Sequence, residues 1–160
     1  MIIKSGQIQL ITADENDEEF KNLFSEYSEL QNLSELRLHP HKLPLTLSFR
    51  IELENKLIGE IGFKSIRWYN RKAEIFLAIK KEYHGRGIGR SALKMIIDYG
   101  FDTLNFHRLE AEVVSYNKAA QKLFTAAGFM QEGVFKEAKY FNGQYHDVLR
   151  FGLLRSLYKK

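Results

Sequence analysis

The 160-residue chain has no cysteine. That excludes disulfides, thiolate nucleophiles and cysteine metal sites, and says little about compartment. Tryptophan occurs once and proline twice, at Pro40 and Pro44. No run approaches the 18 or so consecutive apolar residues a membrane-spanning helix needs, so no membrane partner is expected. The opening "MIIKSGQIQL" is too short and too polar for a signal peptide, and a cytoplasmic address is the expectation. The five histidines are scattered, and His39 and His41 beside the prolines make no metal-ligand set, so no metal is expected. Repeats, low-complexity tracts and linkers are also missing.

What is present is a core. Hydrophobic residues make up 44% of the chain, with 12 Phe and 8 Tyr, which argues against disorder. At this length a single domain over 1–160 is the simplest organisation. The net charge of +4 is unevenly spread. Asp14, Glu15, Asp17, Glu18, Glu19, Glu26, Glu29 and Glu35 lie in one segment against Lys21 alone. These acids read either as a solvated helix face complementing a helix N-terminus or as an acidic lip for a cationic substrate. The basic residues form no aromatic-basic stripe despite a pI near 9.2, so no nucleic-acid partner is expected.

Periodicity supplies the elements. "IQLITA" reads as a strand, Phe20, Leu23, Phe24, Tyr27 and Leu30 keep helical spacing, and residues 31–45 look irregular. "LTLSFRIEL", "LIGEIGFKSI" and "AEIFLAI" follow as a meander joined by "ENK" and "RWYNRK". Leu93, Ile96, Ile97 and Phe101 mark one face of a helix, and "RLEAEVV" a further strand. Asn117 suits the N-cap of "KAAQKLFTAA", with Ala120, Leu123, Phe124 and Ala127 inward and Gly128 at the C′ position. Asn142-Gly143 turns "FMQEGVFKEAKYF" into "QYHDVLRFGLL". The order predicts an α+β fold: a mixed, mostly antiparallel sheet flanked by helices, with its parallel crossover around "HGRGIG".

Gly85, Gly87 and Gly89 crowd between a strand and a helix, where glycine's entropic cost calls for a reason. Such a turn leaves several backbone N–H groups outward beside the positive end of the helix dipole, an anion cradle suited to phosphate. Arg86 and Arg90 add charge beside it. The alternative is a turn that merely joins strand to helix. The P-loop pattern is absent, and "GRGIGR" is not GxGxxG, nor does an opening βαβ unit precede it.

"EYHGRGIGRSALKMIIDYGF", "NKAAQKLFTAAGFMQEG" and "NGQYHDVLRFGLL" together resemble the GNAT superfamily of acetyl-CoA-dependent N-acetyltransferases. The likeness is closer to the branch of ribosomal-protein N-terminal and spermidine N-acetyltransferases. It runs strongly from about Arg71 to Leu154. The family's cofactor motif, Arg/Gln-x-x-Gly-x-Gly/Ala, falls on His84-Gly85-Arg86-Gly87-Ile88-Gly89, with His84 in place of Arg or Gln. The resemblance implies that the strand around Leu77, Ala78 and Ile79 pairs its backbone with the pantetheine arm of acetyl-CoA. It implies that the turn through Arg90 takes the pyrophosphate, and that Asn117 also contacts the arm. Pairing of two copies into a homodimer through the C-terminal strands is a further implication.

Acetyl transfer to an amine needs a deprotonated amine, since an alkylammonium of pKa near about 10.4 is no nucleophile. It also needs a donor for developing oxygen charge, which the backbone of 73–79 could supply. The family commonly places a tyrosine general acid in the second helix. Here Phe124 stands there, lining the cofactor without a proton to give. A thiol of pKa near about 8.5 is already a tolerable leaving group, and Tyr116, Tyr140, Tyr145 or water can serve as donor. Glu74 is the first candidate for the base, sharing a strand face with Phe76 and Ala78, and Glu110 and Glu112 are alternatives. The expected activity is acetyl transfer to a primary amine, whether a protein N-terminus, a polyamine or another cationic amine, by direct attack in a ternary complex. The competing reading is an acyl-CoA binder that has lost catalysis with its tyrosine.

Overall fold

The computed structural model describes residues 2–5, 8–11, 17, 18, 22 and 43–158. The chain divides into two compact units, 1–42 and 43–160. In the first, β1 (Ile2–Ser5) pairs antiparallel with β2 (Ile8–Ile11). "IQLI" was expected as a strand and its partner "IIKS" was not, because four residues are too few to show a period. Apart from Asn22, the helix expected on Phe20 to Leu30 lies outside the described residues, as do most of the irregular stretch 31–45 and most of the acidic segment. Asp17 and Glu18 are described and exposed.

The second unit is built on a six-stranded sheet ordered β3-β4-β5-β6-β8-β7. Its strands are β3 (Leu47–Leu53), β4 (Lys56–Arg67), β5 (Lys72–Ile79), β6 (Arg108–Val114), β7 (Met130–Phe141) and β8 (Gln144–Leu154). Only the β5–β6 pair is parallel. The crossover between those strands carries α1 (Ile88–Asp98), and α2 (Lys118–Ala126) links β6 to β7. The mixed α+β sheet with its crossover at the glycine cluster is as the sequence implied. The first meander strand begins at Leu47 rather than Leu45. Leu45 instead uses its carbonyl to accept from Ile66 N–H at 3.1 Å.

Local chemistry explains the boundaries. Glu54 and Asn55 both take positive φ in the β3–β4 turn, as Asn142 and Gly143 do between β7 and β8, the two-residue geometry whose twist matches a hairpin. Asn117 caps α2 by accepting from Ala120 N–H at 3.0 Å. The helix closes with Gly128 N–H donating to Thr125 O at 3.0 Å and Phe129 N–H to Phe124 O at 3.1 Å. Gly128, at φ +93°, supplies the left-handed residue that this two-bond closure requires. The periodic face of α1 runs on through a single π turn, Tyr99–Thr103, which keeps Phe101 fully buried.

Strand parity separates two faces. Phe63, Ile75, Leu109, Phe151 and Leu153 form one, packed with Leu93, Ile96, Ile97 and Phe101 into a single core. Phe63 and Phe106 meet edge to face at 5.3 Å between centroids. Each buried Leu, Ile or Phe contributes about 1.5–3 kcal/mol of burial free energy, so this one-sided core holds both helices on the same face of the sheet. The opposite face carries charge.

Candidate active site

The two central strands part company. β5 and β6 pair only at Lys72/Arg108, Ala73/Leu109 and Glu74/Glu110, while β6 continues against β8 up to Val114. Beyond Glu74 the sheet is forked. The phase of β5 follows from one bond: Lys80 N–H donates to Ile58 O at 2.8 Å, in register with Glu60/Ala78 and Gly62/Phe76. Antiparallel bonded pairs alternate, so Ile75, Leu77 and Ile79 aim their backbone groups at the other edge, into the fork. Leu77 and Ile79 are half-buried and Ala78 is exposed, and a cleft of about 470 Å³ reaches Ala78 and Ile79 from the β3–β4 side.

The glycine turn sits at the end of that edge. Gly85 and Gly87 have φ +75° and +77°, and a Cβ at either would meet nothing within 4 Å. Backbone conformation demands glycine there, and both residues are exposed, with nothing among the described residues crowding the turn at those positions. Gly87 is the N-cap of α1, with no side chain capping the first turn. Gly89 lies inside that turn, where a Cβ would meet the side chains of Ile79, Leu123 and Leu77 at 3.5–3.8 Å, and Ile88 beside it is half-buried. Arg86 lies over the ring of Tyr83 at 5.3 Å, and Arg90 is exposed. The ring of His84 makes a 2.8 Å hydrogen bond between Nε2 and Ile79 O. Leu77, Ala78 and Ile79 thus lie at the strand end from which the turn His84 to Arg90 leads into α1, and Asn117 opens the helix that follows β6.

On the charged face, Glu74 and Glu110 stand side by side at the root of the fork and are both buried. Glu74 pairs with Lys64 at 2.9 Å and with Arg150 Nη1 at 3.6 Å. Glu110 receives Arg108 Nε at 2.7 Å, Lys72 Nζ at 3.2 Å and Arg150 Nη2. Arg150 also binds Glu112 at 2.6 Å, and Arg108 reaches across to Glu132. Glu132 folds over Gly152, where a Cβ would collide with its carboxylate. Four carboxylates therefore face four cations across five strands. Burial pushes the Glu110 carboxyl up, but the Arg108 hydrogen bond, with Arg150 and Lys72, outweighs it and holds the group below the usual glutamate value. The bond to Arg108 likewise holds Glu132 low.

Of the sequence candidates for proton transfer, Glu74, Glu110 and Glu112 are gathered in one cluster, and the structure adds that all three share Arg150. That residue was missed. Its signal was a lone arginine inside the apolar run "VLRFGLL", which needs a buried partner. Tyr116 is 51% exposed, next to Asn117, with its ring 4.9 Å from His146 and 6.2 Å from Phe141. Tyr140 and Tyr145 pair with each other on the hairpin at 5.1 Å and are more exposed still. Phe124 is buried, 5.1 Å from Phe129 and 6.3 Å from Phe151, so its ring serves the core on the helical side. Among the described residues, no helix is long and apolar enough to cross a membrane and no three His, Asp or Glu cluster as a metal site.

A forked mixed sheet with an outward-facing glycine turn at its tip defines a class, and comparison with known proteins gives the same one. A model of the acetyltransferase (GNAT) domain matches residues 6–149. The chain belongs to the GNAT family of N-acetyltransferases. It is 31% identical over 140 residues to the spermidine N(1)-acetyltransferase of Vibrio cholerae serotype O1, covering 87% of this chain and 79% of that protein. The Bacillus subtilis (strain 168) protein named "Putative ribosomal N-acetyltransferase YdaF" is 32% identical over 102 residues, 64% of this chain and 56% of its own length. Among solved structures, a dodecameric spermidine N-acetyltransferase from Vibrio cholerae superposes with a TM-score of 0.71 at 33% identity, covering 86% of this chain and 77% of that one.

Proposed function

We propose that this chain transfers the acetyl group of acetyl-CoA to a primary amine by direct attack in a ternary complex, with a polyamine of the spermidine class as the favoured acceptor and a protein N-terminus as the next. The observation that carries the reading is the fork. The outward backbone groups of Leu77 and Ile79 can pair with the amide-rich pantetheine arm, while the amides of Gly85 to Gly89 and the α1 N-terminus meet the pyrophosphate. The exposed, uncrowded turn at Gly85 and Gly87 leaves such a group able to approach the backbone. When bound, acetyl-CoA supplies an activated thioester. Asn117 lines the arm from the β6 side, and Arg86 and Arg90 add positive charge to the cradle.

In the same proposal the charged face, opposite both helices, receives the amine. Glu74 takes a proton at Oε2, the oxygen held more loosely at 3.6 Å, directly or through water. The hydroxyl of Tyr116 is the proton donor replacing the family's tyrosine. The spermidine and ribosomal relatives support a cationic amine as acceptor. The family match across both compact units supports a single acetyltransferase domain over 1–160. Self-association belongs to the proposal too. β7 is a sheet edge with Met130, Val134, Phe135, Tyr140 and Phe141 exposed, and a relative is described as dodecameric.

The test is thiol release from acetyl-CoA, followed with a chromogenic disulfide, across spermidine, an aminoglycoside, lysine and short peptides with free N-termini. With no cysteine in the chain, the protein contributes no background. Spermidine-dependent release is the expected outcome. Binding of acetyl-CoA without release to any amine would favour the acyl-CoA binder instead.

A further inference from the structure

We infer that the side chain of His84 is a positioning residue that sets the register of the cofactor on β5, an inference that rests on the acetyl-CoA reading above. Ile79 is the last residue of β5, and its carbonyl points into the fork with those of Ile75 and Leu77. That carbonyl is the end of an uncovered ladder, since β6 pairing stops at Glu74/Glu110. His84, five residues on, donates its Nε2–H to it at 2.8 Å. The intervening backbone is itself a tight turn, with Tyr83 N–H to Lys80 O at 3.0 Å and His84 N–H to Lys81 O at 3.1 Å.

Two consequences follow from the geometry. With Ile79 O occupied, Ile79 N–H and Leu77 C=O are the donor and acceptor left nearest the strand end, so a ligand amide satisfies both its groups there without reaching past the His84 bond. Sliding one row further would set a ligand N–H against a carbonyl already bonded. The same bond ties the start of the glycine turn to the strand end, fixing the span between the groups that pair with the arm and the amides that meet the pyrophosphate. Gly85 and Gly87 lie at φ values that cost them nothing, so the turn has no side-chain rigidity of its own and gains its fixed position from its flanks. His84 does this through its side chain at a position where the family motif carries Arg or Gln. Gln also carries an amide N–H donor, and Phe matches the imidazole in shape without one.

The experiment uses the full chain. Coenzyme A binding is measured calorimetrically for wild type, His84→Gln and His84→Phe, and the imidazole nitrogens of His84 are read by nitrogen-15 NMR. One net hydrogen bond predicts an about five-fold weaker Kd for His84→Phe, with His84→Gln within about two-fold of wild type. The same ratio should appear in the acetyl-CoA KM, leaving kcat and the amine KM unchanged. The nitrogen spectra should show the proton on Nε2. Equal affinity of His84→Phe and wild type, or a proton on Nδ1, would overturn the role of His84 while the acetyl-CoA reading stood. Failure of wild type to bind coenzyme A would overturn both.

Discussion

The two sides of the fork are built from different materials. The β5 edge and glycine turn are almost wholly backbone: amides, carbonyls and two glycines at positive φ. The opposite face is wholly side chain, with Arg150 joining Glu74, Glu110 and Glu112 from two neighbouring strands. Backbone groups keep their place through most side-chain changes, and at position 84, where the family motif has Arg or Gln, the imidazole bonds Ile79 O through Nε2. The charge network does not tolerate such changes, because its two buried carboxylates, Glu74 and Glu110, depend on cations that other strands bring to them. One side is robust chemistry on a local motif, the other a tuned arrangement with no local motif.

The sharpest way to break that contrast is Arg150→Ala. Among the described residues, removing the hub leaves Glu74 paired with Lys64 and strips Glu112 of its Arg150 contact, and loss of a buried ion-pair partner typically costs about 3–5 kcal/mol. Urea denaturation should show a loss near the lower end, about 3 kcal/mol, since Glu110 keeps Arg108 and Lys72. Arg150→Lys should recover only part of it, as an ammonium cannot fork between carboxylates. A loss under about 1 kcal/mol would mean the network is incidental.

On the other side, Gly87→Ala forces a Cβ into left-handed backbone, at a cost of about 1–2 kcal/mol. Stability should fall by that amount, and coenzyme A affinity should fall further because the added methyl stands where the ligand would approach. Unchanged affinity would remove the turn from the site. Smaller again, Asn117→Ala removes the cap on α2 and should cost about 1 kcal/mol by thermal or urea unfolding. An Asn117→Asp variant, which keeps the capping oxygen, should restore stability and separate capping from any contact with the cofactor.

The mildest test uses pH. The folded-state pKa of Glu110 is lowered, so its stabilising contribution is present above the usual glutamate value and lost as pH falls through and below it. Stability measured from neutral pH down into the acid range should therefore decline, and Glu110→Gln should flatten that decline. A variant with the same acid slope as wild type would assign acid sensitivity elsewhere.

Much of this was legible in the chain. The meander, the crossover at "HGRGIG", the Asn117 cap, the Gly128 stop and the Asn142-Gly143 turn each rest on contacts within a few residues, and local sequence encodes those. The face that Glu74 occupies was legible, because strand alternation sets it with Phe76 and Ala78. Arg150 was not, because its role depends on which strand lies next to β6. The sequence-adjacent partner of β8 is β7, yet β8 lies between β7 and β6, and nothing local in "VLRFGLL" announces that insertion. The buried position of Phe124 follows from the helical period. Phe129 meets it through the local helix stop at Gly128, whereas Phe151 reaches it only through the sheet order.

The sequence by itself determined the element types, the glycine turn and the family to which the chain belongs, because those depend on backbone preferences and short-range spacing. Only the tertiary structure decided that β5 and β6 separate after Glu74, that Ile79 O is bonded to His84, and that one arginine ties three glutamates together. Those are facts of strand order and register, and register couples residues tens of positions apart that share no local signal.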